Sequence, residues 1–329
     1  SLAVGPGTNF LTKENMVNVD ALTGSGTIYQ GYSGPGITVG VANGSGNFSG
    51  VLENNGNTLS FIKAGTGTQT LSGSNTYTGA TTITAGTLAL SSAAKNNNIA
   101  SSASIIVGSN ASQASARLDV TGISAAGGFQ VASGQTIAGY GSIAGATSVL
   151  SGGTISAGAG SAANSTPGVL ATAALLPASG STDVWKVLNA PSGNVGTITG
   201  TPGPTTFDQI DYSTLTLPSS GPVNLVITPT STSAFSATNS FTVQIAEGTS
   251  IANAAAFEAN PNSFFNISLT PGTYTAGPNG NVVTASDFSI STNGSDVELN
   301  YNAVPEPASL SLLALGALGL LSRRRKMTA

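Results

Sequence analysis

Short runs in which apolar and polar residues alternate recur along most of this chain, and that period of two is what most constrains its fold. In "FTVQI" the apolar positions are Phe241, Val243 and Ile245. "FNISL" repeats the pattern with Phe265, Ile267 and Leu269, and "VELNY" with Val297, Leu299 and Tyr301. Successive side chains on a strand point to opposite faces, so each run reads as a half-buried strand. "ITVGV", "LDV", "FQV", "LTL" and "VNLVI" behave alike, with Gly, Pro, Asn and Ser between them to turn the chain. The expected fold class is all-β. One helical candidate stands out, "SIANAAAF" (Ser250 to Phe257), with Ser250 as its N-cap.

Charge is scarce. Charged residues make up 7% of the 329, while glycine alone supplies 43; soluble proteins average about 25% charged. Hydrophobic residues at 40% with a net charge of −4 do not match a disordered chain. Four of the nine cations are consecutive, Arg323, Arg324, Arg325 and Lys326, which leaves five against twelve acids in the first 304 residues. Such a body offers no basic stripe to nucleic acid, whose phosphates require clustered Lys and Arg. Cysteine is absent, which removes disulfides and thiolate metal sites.

The absence of histidine excludes Ser-His-Asp and Cys-His catalysis and histidine metal clusters. Carboxylate chemistry remains, and it needs two acids at a defined separation. The thirteen acids are scattered, with one local pair, Asp208 and Asp211. At i and i+3 on a strand these face opposite ways, so they are expected to be solvated acids unless a turn brings them together, where calcium could also bind. Arg117 and Asp119 are two apart and could share one strand face, where Arg117 would be a lyase's candidate base, but an ordinary ion pair explains them equally well. Trp185 and the seven tyrosines form no visible sugar-stacking cluster. Glycine-rich stretches lack phosphate-binding fingerprints. Six Asn-x-Ser/Thr sequons, at Asn43, Asn47, Asn110, Asn164, Asn266 and Asn293, follow from composition. No catalytic residue, metal or cofactor is expected, and the body reads as non-enzymatic.

The C-terminus departs from the rest. "VPEP" (Val304, Pro305, Glu306, Pro307) precedes an uncharged span, Ala308 to Leu321, and then the Arg323–Lys326 cations. As a helix these 14 residues reach about 21 Å, short of a roughly 30 Å hydrocarbon core. The cations directly after the span read as a cytoplasmic stop under the positive-inside rule, which puts the body outside. A buried core helix would need a polar face, and this span offers only Ser309 and Ser311. The prolines keep Glu306 out of helix and strand and leave an extended, accessible peptide. The opening segment lacks the basic and apolar regions of a secretory signal, so an exported chain is expected to have lost one.

These three parts, in this order at the terminus, resemble the PEP-CTERM sorting signal of exported proteins in Gram-negative bacteria. The resemblance implies processing near Pro305–Pro307 by an exosortase, a membrane-embedded, cysteine transpeptidase-like enzyme, with transient anchoring in the inner membrane. It also links the chain to cells that make exopolysaccharide and biofilm, hence to a surface, matrix or adhesive role with exopolysaccharide or other surface proteins as partners.

A second resemblance lies in "KAGTGTQTLSGSNTYTGATTITAGTLAL" (Lys63 to Leu90), which is similar to the passenger-associated transport repeat of autotransporter proteins. It implies a right-handed parallel β-helix, with Leu71, Ile83, Leu88 and Leu90 stacked inward. "ARLDVTG" and residues 131–161 resemble the rungs that follow this repeat, and "FDQIDYSTLTL" (Phe207 to Leu217) resembles an Asp-Gln strand start of the same proteins. The expected organisation is a β-helix over 1–165 with the repeat at 63–90, then 166–304 as further rungs or a β-sandwich cap, and 305–329 as the sorting signal with a short hydrophobic helix. Residues 161–180 are the expected boundary. Two rivals remain: an extracellular carbohydrate-active enzyme of the β-helix type, a polysaccharide lyase or hydrolase, and an autotransporter passenger, which would need a C-terminal membrane barrel.

Overall fold

The computed structural model describes residues 1–31, 35–92, 99–158, 167–187, 195–198, 207–229, 240–270, 274–276 and 281–303. The chain winds into a parallel β-helix. Strands Leu2–Val4, Asn9–Thr12 and Val17–Val19 make the first turn, and Leu22–Gly24, Thr27–Gln30 and Ile37–Val39 return beside them in parallel. Repetition builds a 14-stranded long sheet, a 10-stranded second sheet and a 3-stranded third sheet. The third sheet stops at Val51–Asn54, after which the backbone N–H groups of Thr76 and Tyr77 reach only the Leu52 carbonyl.

Inward positions of successive strands stack into ladders, which is how strands of three to seven residues bury a continuous core. One ladder of the second sheet runs Val17, Ile37, Phe61, Thr81, Ile105, Ile137, Ile155, Asp183, Leu225, Ile267. In the long sheet Gly24, Phe48, Leu71 and Leu90 follow one another. Leu71, Ile83, Leu88 and Leu90 are all buried, as the repeat implies. Phe241, Val243 and Ile245 are buried too, as are Val297, Leu299 and Tyr301. Phe265, Ile267 and Leu269 are only half-buried and pack against the core.

Polar side chains repair the coil where the ladder is interrupted. Gly46 pairs with Gln69, and a Cβ at Gly46 would lie 2.3 Å from the Leu22 carbonyl oxygen and 2.7 Å from Gln69 Oε1. The missing side chain lets Gln69 reach past it: Oε1 accepts from Leu22 N–H at 3.1 Å and Nε2 donates to the Leu22 carbonyl at 2.9 Å. Within the repeat, the Tyr77 hydroxyl lies 2.6 Å from Thr81 Oγ1, which lies 2.9 Å from Ser102 Oγ, so the Thr81 hydroxyl on this inward ladder is satisfied by its neighbours.

Parallel pairing continues through the expected boundary. Ser142–Val149, Val169–Pro177, Gln209–Leu215 and Phe241–Ile251 pair in sequence on the long sheet. Thr154–Ala157, Thr182–Val187, Val223–Pro229 and Phe265–Leu269 do the same on the second. The strands described between 167 and 269 therefore pair as further parallel turns of the coil. The long sheet changes direction at its end, where Asp296–Tyr301 pairs antiparallel with both Phe241–Ile251 and Phe288–Asn293. This hairpin turns the long sheet's last edge into a short return strand.

The helix is displaced from its sequence reading. Phe241–Ile251 is strand, so Ser250 is not a cap; its hydroxyl donates to the Ser213 carbonyl. The helix spans Ala254–Ala259 behind Asn253, and it buries Phe257 against Phe264 and Phe265 at ring distances of 5.4 Å and 6.1 Å. Cross-strand bonding by the β-branched and hydroxyl residues before Ala252 outweighs the capping preference of Ser250.

Candidate functional site

The sequence places function in the tail, and the body ends just before it in a fixed manner. Strand Asp296–Tyr301 is held on both sides, and Tyr301 packs its ring 5.1 Å from Phe241 and 5.2 Å from Phe288. Asn302 then donates its N–H to the Asp287 carbonyl at 2.7 Å, and Ala303 donates to Ser240 Oγ at 2.9 Å. Beside this exit lies a groove of about 290 Å³ with Ser240, Thr242, Ser289, Asn300 and Asn302 on its walls and Phe241 and Tyr301 beneath. Val304, Pro305, Glu306, Pro307, the span from Ala308 to Leu321 and Arg323, Arg324, Arg325 and Lys326 lie outside the described residues. Among the described residues no helix is long and apolar enough to cross a membrane.

The candidate acid pair does not form a site. Asp208 and Asp211 are not brought together, and the expectation that both are solvated fails for Asp208, which is 1% exposed. Its carboxylate meets Lys186, whose Nζ lies 2.6 Å from Oδ2. Oδ2 also accepts the Lys186 backbone N–H at 2.9 Å, and Oδ1 accepts from Gly168 N–H at 3.0 Å. The other two ammonium protons go to Ser156 Oγ at 2.7 Å and to the Ala157 carbonyl. Burial pushes the Asp208 carboxyl up to about 7, against the pull of Lys186 and these hydrogen bonds. Both carboxylate oxygens are spent inside the protein, so the calcium-binding turn considered for this pair is not built.

Asp211 takes a different partner. It stands in register with Glu247 on the next turn, and the Gln209 amide bridges the two, with Nε2 at 2.7 Å from Asp211 Oδ1 and 2.8 Å from Glu247 Oε2. Burial raises the Asp211 carboxyl pKa and Glu247 adds to the rise, while the bond from Gln209 opposes it. Arg117 and Asp119 do form the surface pair expected of them, at 3.5 Å. Among the described residues no three acids gather as metal ligands.

Two interior cations escaped the sequence reading. Lys63, near the start of the repeat, occupies an inward position between Val39 and Ile83, fully buried. Its Nζ is held by the carbonyls of Ala64, Gly65 and Ala85 at 2.6, 2.9 and 3.3 Å, and burial lowers its pKa to about 8. Lys186 had a readable sign: "DVWKV" has apolar residues at both odd and even positions, the mark of a strand covered on both faces.

Comparison with known families bears on both resemblances. The PEP-CTERM protein-sorting motif matches residues 303–326. The chain carries a PEP-CTERM sorting signal. The match begins at Ala303, the last described residue, whose N–H donates to Ser240 Oγ. The passenger-associated-transport-repeat matches residues 61–90, from strand Phe61–Lys63 to the Thr87–Ser92 strand of the next turn. No curated protein matches the chain. The PEP-CTERM signal marks an exported protein that is anchored transiently in the membrane and is a substrate, in general terms, of exosortase processing.

Proposed function

We propose that this PEP-CTERM protein is a non-enzymatic structural or adhesive component of the cell surface or extracellular matrix. Its tail parks the body at the inner membrane until exosortase acts near Pro305–Pro307, after which the β-helix serves outside the cell in an exopolysaccharide-rich layer. The observation that carries this reading is the placement of the sorting motif. It starts at the last described residue of the body, so processing there leaves every described ladder intact. A weakly charged rod covered in Thr, Asn and Ser suits spacing and many weak contacts, which add through effective concentration.

Mass spectrometry of the mature C-terminus in separated envelope and medium fractions tests the sorting step. The expected product ends within or just after Val304–Pro307. An intact Arg323–Lys326 in the mature membrane form overturns it and leaves a permanently anchored rod. The adhesive role is tested separately, by retention of the purified body on matrix polysaccharide from the source cells. Turnover of polyuronates would instead favour a carbohydrate-active enzyme, for which the Asp211–Glu247 pair is the observation to pursue.

A further inference from the structure

The Lys186–Asp208 pair has the geometry of two groups about to condense, and we propose that they do so, forming an intramolecular amide between Lys186 Nζ and Asp208 Cγ. Two observations carry this. The reacting groups are in contact, with Nζ 2.6 Å from Oδ2, and both side chains are essentially excluded from solvent, at 0% and 2% exposure. Fixing a nucleophile and its target in this way converts a bimolecular reaction into a unimolecular one, with effective molarities of about 10⁵ M or more in favourable cases.

The surroundings point each atom to its task. Ser156 Oγ and the Ala157 carbonyl also accept from the amine and hold it in place. Gly168 N–H lies 3.0 Å from Oδ1, the oxygen that would carry negative charge in a tetrahedral intermediate, and it is already oriented for that charge. Trp185 and Phe207 flank the two residues in sequence, their rings 6.0 Å apart, and Trp185 Nε1 donates to the Asp208 carbonyl at 2.7 Å, so the strand start cannot swing away.

The balance is simple. A proton passes along the short contact from ammonium to carboxylate, giving amine and acid. The amine lone pair forms the N–Cγ bond, the Cγ–Oδ2 bond breaks, and Oδ2 leaves as water with two of the protons that began on Nζ. No oxidant or co-reactant is needed. Burial favours the neutral acid at Asp208, whose pKa it raises. The driving force is the removal of two charges from a site where their desolvation is costly. The product cross-links strand Thr182–Val187 to the residue before strand Gln209–Leu215, joining the two main sheets in a chain that has no cysteine to do so.

The test is peptide mass mapping of the purified full-length protein after denaturation. The expected result is a segment one water lighter than its sequence, no tryptic cleavage after Lys186, and a branched chymotryptic peptide joining Lys186 to Asp208. Lys186→Arg, which cannot form this amide, retains the calculated mass whether or not it folds. Free Lys186 cleaved normally in the wild-type protein overturns the proposal. So does a water loss confined to a linear peptide, as an aspartyl succinimide would give, or one that persists in K186R.

Discussion

Asp183 lies opposite Ile155 in the parallel register of the second sheet, with Leu225 on its other side, so a carboxyl occupies a position flanked by an isoleucine and a leucine on the neighbouring turns. It borders a small cavity of about 30 Å³ walled by Ile155, Leu175, Ile210, Tyr212 and Leu225's neighbour Val223. Burial raises its pKa to about 7 from an ordinary 3.8, partly offset by the field of Lys186. Between about pH 4 and 7 the folded protein therefore holds a proton that the unfolded chain has released, and stability falls as pH rises through that window. Asp183→Leu should raise the melting temperature at pH 8, by an amount corresponding to on the order of 2 kcal/mol, and change it little at pH 4. Thermal melts across pH check this; equal gains at both pH values would mean that the carboxyl is not the cause. Slope left in the variant reports on Asp208, and a condensed Asp208 contributes none.

Lys63 makes the opposite prediction at the alkaline end. Its pKa falls to about 8, from 10.5, through burial. Above pH 8 the folded protein gives up a proton that the unfolded chain keeps until about 10.5, so this residue's penalty is full below pH 8 and stability climbs from there. Chemical unfolding at pH 7 and pH 10 should show this rise, and Lys63→Met should flatten it. A slope unchanged in Lys63→Met would assign the rise to other groups.

The bridge from Gln69 to Leu22 carries a structural prediction. Truncating Gln69 orphans a buried N–H and C=O of Leu22, groups that cost about 1–3 kcal/mol each when unpaired. Gln69→Ala should therefore destabilise by about 2–4 kcal/mol. Gly46→Ala should do comparable damage from the other direction, because its Cβ would press on the same Leu22 carbonyl and on Gln69. Denaturant midpoints of the two single variants and the double variant test the link. Coupling between them is expected, and strict additivity would mean that the two residues act independently.

Those predictions separate what the sequence could tell from what it could not. The coil was legible because Leu71, Leu88 and Leu90 alternate with polar or small neighbours, and alternation is a local property. The interior charges were not. Whether Asp183 points into the core depends on its register with Ile155, and register arises from pairing across 28 residues of chain. Asp208 looked solvated because acids usually are; its burial depends on Lys186, 22 positions away. The tail needed no register at all, since its Pro-Glu-Pro, apolar span and cations are linear features.

The join between body and tail supplies the last prediction. Ala303 makes the final described hydrogen bond of the body, to Ser240, and the sorting motif matches from that same residue onward. Deleting residues 304–329 removes no described ladder, ion pair or buried side chain. The truncated protein should therefore melt within about 2 °C of the full-length chain, since a change of 1 kcal/mol would move a large domain by about that much. Removing only five residues more, from Leu299 onward, takes away Leu299 and Tyr301 from the core, along with the pairing of both antiparallel partners. That longer deletion should cost several kcal/mol, because loss of a single large buried side chain costs about 3–5. In cells the two deletions should part company as well. The shorter should yield a folded body that no longer fractionates with the membrane, and the longer a degraded one. If the shorter deletion still fractionated with the membrane, anchoring would have to reside in the coil, and the tail could not be the address.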